Sequence, residues 1–220
     1  MKRYLLLIFL LLAFFATTGR LSYAEKWYQV KWVVDGDTIV LRDGRAVRYI
    51  GINAPEIDHE NQKAEPFGYK AREFNAHRVR AAKIRLELDQ ERHDQYGRLL
   101  AFVFLADGTF INAAMIAEGY AFYLYRKPNV KYAGILLQSQ RRAMTAGKGM
   151  WQHWSKKDAP YLGNQESRRF HLATCPFAKQ IKRKNRVTFS NKWEAFWAGY
   201  APAKKCITEY WNYDMSKETK

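Results

Sequence analysis

Cysteine is nearly absent. Only Cys175 and Cys206 occur in 220 residues, so the chain can close one internal disulfide and no framework of several. Histidine is sparse as well, five in all. His59, His77, His93 and His153 stand at no ligand spacing, which excludes a zinc centre built on them and leaves them as ordinary surface residues. Acid is the third shortage, with 21 Asp and Glu against 37 Lys and Arg and a formal charge of +16. An excess of that size draws polyanions and speeds their encounter. Charge by itself does not separate nucleic acid from anionic lipid or cell-wall polymer. Long apolar runs are missing after the first 24 residues, so no membrane span is expected in the mature chain.

The one long apolar run is at the start. Lys2 and Arg3 precede twelve continuous apolar residues, Leu5–Ala16, and Ser22-Tyr23-Ala24 offers small side chains at the −3 and −1 positions of a cleavage site. The run is too short for an ordinary span. The pattern is that of a secretory signal over 1–24, with export to the periplasm or the medium as its consequence. An uncleaved N-terminal anchor is the alternative. In an oxidising compartment the even cysteine count favours a disulfide. After the leader, residues 25–160 carry 22 basic and 16 acidic groups, and residues 161–220 carry 12 and 5. The basic excess is therefore denser in the tail.

Chemistry concentrates in two short stretches, Val34–Leu41 and Arg48–Glu56. Each has a strand pattern, with Val34, Ile39, Leu41, Val47, Ile50 and Ile52 as apolar filling. Asp43 and Gly44 supply a turn between them, so they pair as a hairpin. That pairing gathers Asp37, Arg48, Asn53 and Glu56 at one end of a small sheet. Oxygen ligands, a carboxylate and a guanidinium in one place suit hard-metal phosphate chemistry. Taken singly these residues have plainer readings: a turn with an Asx bond for the acidic segment, a surface ion pair for Arg48 and Glu56, a solvated side chain for Arg98.

Three blocks occur together and in order: DGDT at Asp35–Thr38, RYIGINAPE at Arg48–Glu56 and DQYGR at Asp94–Arg98. In these blocks the chain closely resembles the staphylococcal nuclease (thermonuclease) family, from about Trp27 to Trp151. The resemblance implies Ca²⁺ held by the carboxylate of Asp37, the side chain of Asn53 and the carbonyl of Ala54, with Asp35 behind them. It implies Glu56 as the base or water-orienting group, and Arg48 and Arg98 as clamps on the phosphoryl transition state. Each guanidinium can grip a phosphate with two parallel hydrogen bonds, which lysine cannot do. Tyr123 and Tyr125 are expected beside the nucleotide, and Tyr96 is a third aromatic able to stack on a base. The implied reaction is hydrolysis of DNA or RNA to products ending in a 3′-phosphate. One position departs from the family: Asn53 stands where a second carboxylate is usual, and fewer charged ligands weaken calcium binding.

The fold class that follows is mainly β with α. A five-stranded OB-type barrel plus helices is expected over 25–155, and a small α+β domain over 161–210. Strands are expected at Lys26–Val34, Thr38–Leu41, Ala46–Ile52, Ile84–Leu88 and Leu99–Leu105. Helices are expected at Gly68–Arg85, Phe110–Glu118 and Tyr132–Ala146, with Ala121–Tyr125 as an aromatic connection. The tail resembles the small metal-binding domain of the Ada alkylation-repair type. His171, Cys175 and Cys206 match three zinc ligands of that pattern, but Ala203 stands at the fourth. A Cys175–Cys206 disulfide and a residual Zn²⁺ site with His171 are the two outcomes, the disulfide being favoured. The leading functional reading is an exported, calcium-dependent nuclease acting on DNA or RNA, with no obligate protein partner evident. Its rival is a non-catalytic envelope protein that binds nucleic acid or another polyanion, motivated by Asn53.

Overall fold

The computed structural model describes residues 25–58, 63–152 and 160–207. The leader at 1–24, His59, His153 and the end of the tail unit beyond 207 lie outside the described residues. Five strands close a barrel: β1 (Trp27–Val33), β2 (Thr38–Leu41), β3 (Ala46–Tyr49), β5 (Lys83–Glu87) and β6 (Leu99–Leu105), in the order β1-β2-β3-β6-β5. All neighbours are antiparallel except β3 and β6. Closure leaves no barrel strand as a bare edge. Val33, Ile39, Val47, Ile84, Ala101 and Val103 fill the interior and are almost wholly buried.

The strand expected over Ala46–Ile52 is broken. Gly51 takes φ 76°, and Ile52–Asn53 leave as a separate strand, β4, that pairs with β7 (Phe122–Tyr123). A left-handed φ is inexpensive only for glycine, and it turns the chain off the barrel just before Asn53. The aromatic connection at Ala121–Tyr125 thus contains a short strand. Helix α1 spans Gly68–Val79 and stops short of the expected Arg85; α2 is Ile111–Ala117 and α3 is Ala133–Thr145. Helix α1 bridges the first motif: its buried Asn75 donates through Nδ2 to Asp35 O at 3.2 Å and accepts from Tyr49 Oη at 2.9 Å.

The tail forms a four-stranded sheet, β10-β8-β9-β11, from β8 (Tyr161–Asn164), β9 (Arg169–Leu172), β10 (Arg186–Phe189) and β11 (Ala201–Pro202). Two short helices, α4 (Pro176–Lys179) and α5 (Lys192–Trp197), complete it. Sequence spacing alone separates this unit from the barrel, but its core is shared. Phe170, Phe189 and Phe196 lie in one buried cluster with Phe122, Met144 and Trp151. Gln140 on α3, wholly buried, accepts from the Tyr123 amide at 2.7 Å and donates to Phe196 O at 2.6 Å. A buried amide with both ends satisfied fixes one arrangement of the two parts, because losing either partner leaves a desolvated polar group. No helix among the described residues is long and apolar enough to cross a membrane.

Candidate active site

The barrel register places the acidic and basic groups. Arg48 on β3 pairs with Thr38 on one side and Leu100 on the other. Asp37 therefore stands one residue before the first partner, and Arg98 two residues before the second. The chain then turns at Gly51 and delivers Asn53, Ala54 and Glu56. Asp37, Arg48, Asn53, Glu56, Tyr96 and Arg98 line a single cavity of about 390 Å³, together with Asp35, Arg126 and Lys204.

Asp37 is the most enclosed of these groups. Its Oδ1 lies 2.8 Å from Arg48 Nη1, and its Oδ2 accepts the Ala54 amide at 2.6 Å. Its own amide donates to Asp35 Oδ1 at 2.8 Å, an Asx turn that sets the carboxylate's direction. Burial pushes the Asp37 carboxyl up, to about 8; the Arg48 guanidinium opposes this, and the nearby Asp35 and Glu56 add to it. Arg48 also donates to Asn53 Oδ1 at 3.2 Å and to Tyr49 O at 3.3 Å.

The donor set fits a hard cation, with one carboxylate, one side-chain amide oxygen and one carbonyl. Asn53 modifies it in a way the sequence does not disclose. Its Nδ2 donates to Ala54 O at 3.1 Å, so the amide engages the carbonyl that a cation would use. A carboxylate at 53 could not make that bond. Among the described residues one group of three His, Cys, Asp or Glu side chains could hold a metal: His171, Cys175 and Cys206, whose ligand atoms lie within 4.8 Å of one another. There Cys175 and Cys206 are joined in a disulfide with Cα atoms 6.1 Å apart. His171 Nδ1 lies 3.3 Å from Cys206 Sγ, and burial holds the imidazole below its ordinary range.

Glu56 and Arg98 are each held by an acidic residue to which the motif reading gave no role. The Glu56 amide donates to Glu65 Oε2 and the Glu65 amide returns to Glu56 O, both at 2.9 Å. Gly68, at the start of α1, lies so close that a Cβ there would stand 2.3 Å from Glu56 O. Arg98 is clasped by Asp94: Nε donates to Oδ2 at 2.8 Å and Nη2 lies 2.7 Å from the same oxygen. The Arg98 and Tyr96 amides close on Asp94 Oδ1 at 3.0 Å. Burial would raise the Asp94 carboxyl, but these hydrogen bonds outweigh it and hold it below the usual carboxylate range.

The matching sequences now bear on this geometry. The family model described as Staphylococcal nuclease homologue matches residues 46–153. The thermonuclease of Staphylococcus hyicus is 35% identical over 142 residues, covering 63% of this chain and 83% of that protein. The thermonuclease of Staphylococcus intermedius is 38% identical over 128 residues, covering 57% and 76%. The chain belongs to the staphylococcal nuclease family. Endonuclease YncB of Bacillus subtilis (strain 168) is a further relative, 36% identical over 124 residues, which span 54% of this chain and 58% of that protein.

Not every expected site residue of this family member converges. Tyr96 lines the main cavity and is 74% exposed, with the Arg98 guanidinium 5.4 Å from its ring centre. Tyr123 and Tyr125 line a different, smaller cavity with Leu137, Arg168 and Gly199, at the seam between barrel and tail. Tyr123 is buried there, which pushes its phenol up to about 12. Tyr123 stands opposite Ile52 in the β4–β7 pair. Lys204 was singled out by no motif, because its partner at the site, Glu56, lies 148 residues away in the chain.

Proposed function

We propose that this chain is an exported, calcium-dependent nuclease that hydrolyses phosphodiester bonds of DNA or RNA and leaves a 3′-phosphate. The observation that carries the reading is the convergence of Asp37, Arg48, Glu56 and Arg98 on one cavity of phosphate-accommodating size. Export rests on the leader pattern at 1–24.

Glu56 is partly exposed at the cavity wall, with its backbone held by Glu65. It takes a proton from a water as that water's oxygen bonds to phosphorus. The P–O5′ bond breaks, so the phosphate stays on the 3′ carbon, and the 5′ oxygen takes a proton from solvent and departs as a hydroxyl. Negative charge grows on the non-bridging oxygens, and the Arg48 and Arg98 guanidiniums meet it from already fixed positions. Asp94 keeps Arg98 aimed; Asp37 and Asn53 do the same for Arg48. Asp37, Asn53 and the Ala54 carbonyl would hold Ca²⁺, which supplies positive charge beside the phosphoryl oxygens when bound. Asp35 orients Asp37.

The test is digestion of DNA and RNA across a calcium titration, with chelator as the zero point, for the parent and Asn53→Asp. The parent is expected to cleave only with calcium and to give 3′-phosphate ends. Asn53→Asp adds a carboxylate and releases the Ala54 carbonyl, so half-maximal activity should need roughly tenfold less calcium. Salt-sensitive DNA binding with no cleavage at any calcium concentration would replace this reading with that of a polyanion-binding protein.

A further inference from the structure

Lys204 comes from the tail, yet its Nζ stands 3.1 Å from Glu56 Oε1 and it lines the same cavity as Arg48, Arg98 and Arg126. Its placement is built into the tail. Strand β11 runs parallel to β9 and ends at Pro202, two residues before Lys204. The Ala203 amide donates to Phe170 O at 2.9 Å; the Cys206 and Ile207 amides return to Ala203 O at 2.8 and 3.0 Å. The turn carrying Lys204 is thus anchored to β9 at one end and, through Cys206, to Cys175 at the other.

An ammonium carries three donors, and one of them meets Glu56. The Lys204 side chain is 59% exposed against 29% for Glu56. An ion pair this open contributes little to stability, so its value lies in what else the ammonium can reach. Three guanidiniums share the cavity, and Arg126 also lines a neighbouring surface hollow with Lys127 and Arg169. Positive groups thus continue from the rim along the seam between barrel and tail.

We propose that Lys204 is a substrate-positioning residue: its ammonium bridges the Glu56 carboxylate and a phosphate of the bound strand adjacent to the scissile one. The tail then forms one wall of the substrate path. The inference rests on the nuclease reading for the identity of the strand. Lys204 transfers no proton, and its effect falls on binding.

The test is Lys204→Met, which keeps most of the stem and removes the charge, with Lys204→Arg as the conservative partner. Binding of a fluorescent single-stranded oligodeoxynucleotide is measured against salt with calcium chelated. Lys204→Met should flatten the slope of log K against log salt by about 0.7, the value for one phosphate contact on a single strand. Lys204→Arg should keep the parent slope. In steady-state cleavage of the same oligonucleotide, Lys204→Met should raise KM roughly fivefold and leave kcat within about twofold, the scale of one solvated charge contact. An unchanged slope overturns the proposal, as does a loss in kcat at constant KM. A variant faster than the parent also overturns it, making the contact a latch over Glu56. A parent that binds the oligonucleotide but never cleaves it defeats the nuclease reading, while the slope still decides the role of Lys204.

Discussion

Arg48 at the barrel rim has three acceptors, Asp37, Asn53 and the Tyr49 carbonyl, and its side chain is 14% exposed. Lys204 in the tail has one acceptor among the described residues, Glu56, on a long exposed stem. Both face the same cavity. The rim groups are fixed before any substrate arrives, which is the condition for stabilising charge that appears only in a transition state. The tail group can trade one anion for another with little rearrangement, which suits holding a strand. On the proposed function, the chemical step belongs to the barrel and part of the grip to the tail.

The sharpest way to break that division is Gly68→Ala. A methyl there collides with the Glu56 carbonyl, so the loop carrying Glu56 must shift. A displacement near 1 Å at a reacting group costs on the order of 100-fold. The loss should fall on kcat, read in steady-state cleavage with far-ultraviolet circular dichroism to check the fold. A change in KM alone would erase the distinction between rim and tail.

Asp94→Asn has a smaller effect and a pH signature. The Asp94 carboxyl is held below its unfolded value near 3.8. Its contribution to stability is therefore whole above that value and is lost as pH falls through the lower folded value. The variant should be less stable than the parent at pH 7, and the two should begin to converge as pH falls below about 4, meeting only below the lower folded value. Losing the charge-assisted hold on Arg98 should also lower kcat by roughly tenfold. Acid unfolding followed by fluorescence, with kcat at pH 7, checks both. Unchanged kcat would mean that Arg98 is aimed by something other than Asp94.

The barrel was legible because its strands are short apolar or alternating runs, such as Leu99–Leu105 and Ile84–Leu88, and its turns carry Asp-Gly pairs. The five barrel strands expected from Trp27 to Leu105 are present, with one change at Gly51, whose left-handed φ no hydropathy pattern reveals. At the site, Asp37, Arg48, Asn53, Ala54, Glu56 and Arg98 were readable because they sit in contiguous blocks. Their holders were not. Asp94 opens one of those blocks, but its grip on Arg98 appears only when the Asp94–Gly97 turn closes. Gly68 matters through a backbone contact and carries no side-chain signal. The Asn53 amide bond to Ala54 O depends on a rotamer. Lys204 reaches the site only because α3 and the tail share a core, so no local pattern announces it.

The most direct measurement is cleavage of DNA by Glu56→Gln in saturating calcium, with oligonucleotide binding measured on the same preparation. Gln keeps the size of the side chain and an acceptor for Lys204 but cannot take a proton. Cleavage should fall by about 10²- to 10⁴-fold, the scale of a lost general base, with binding close to that of the parent. Cleavage at the parent rate would contradict the assignment of this cavity as the place where the phosphodiester bond is broken.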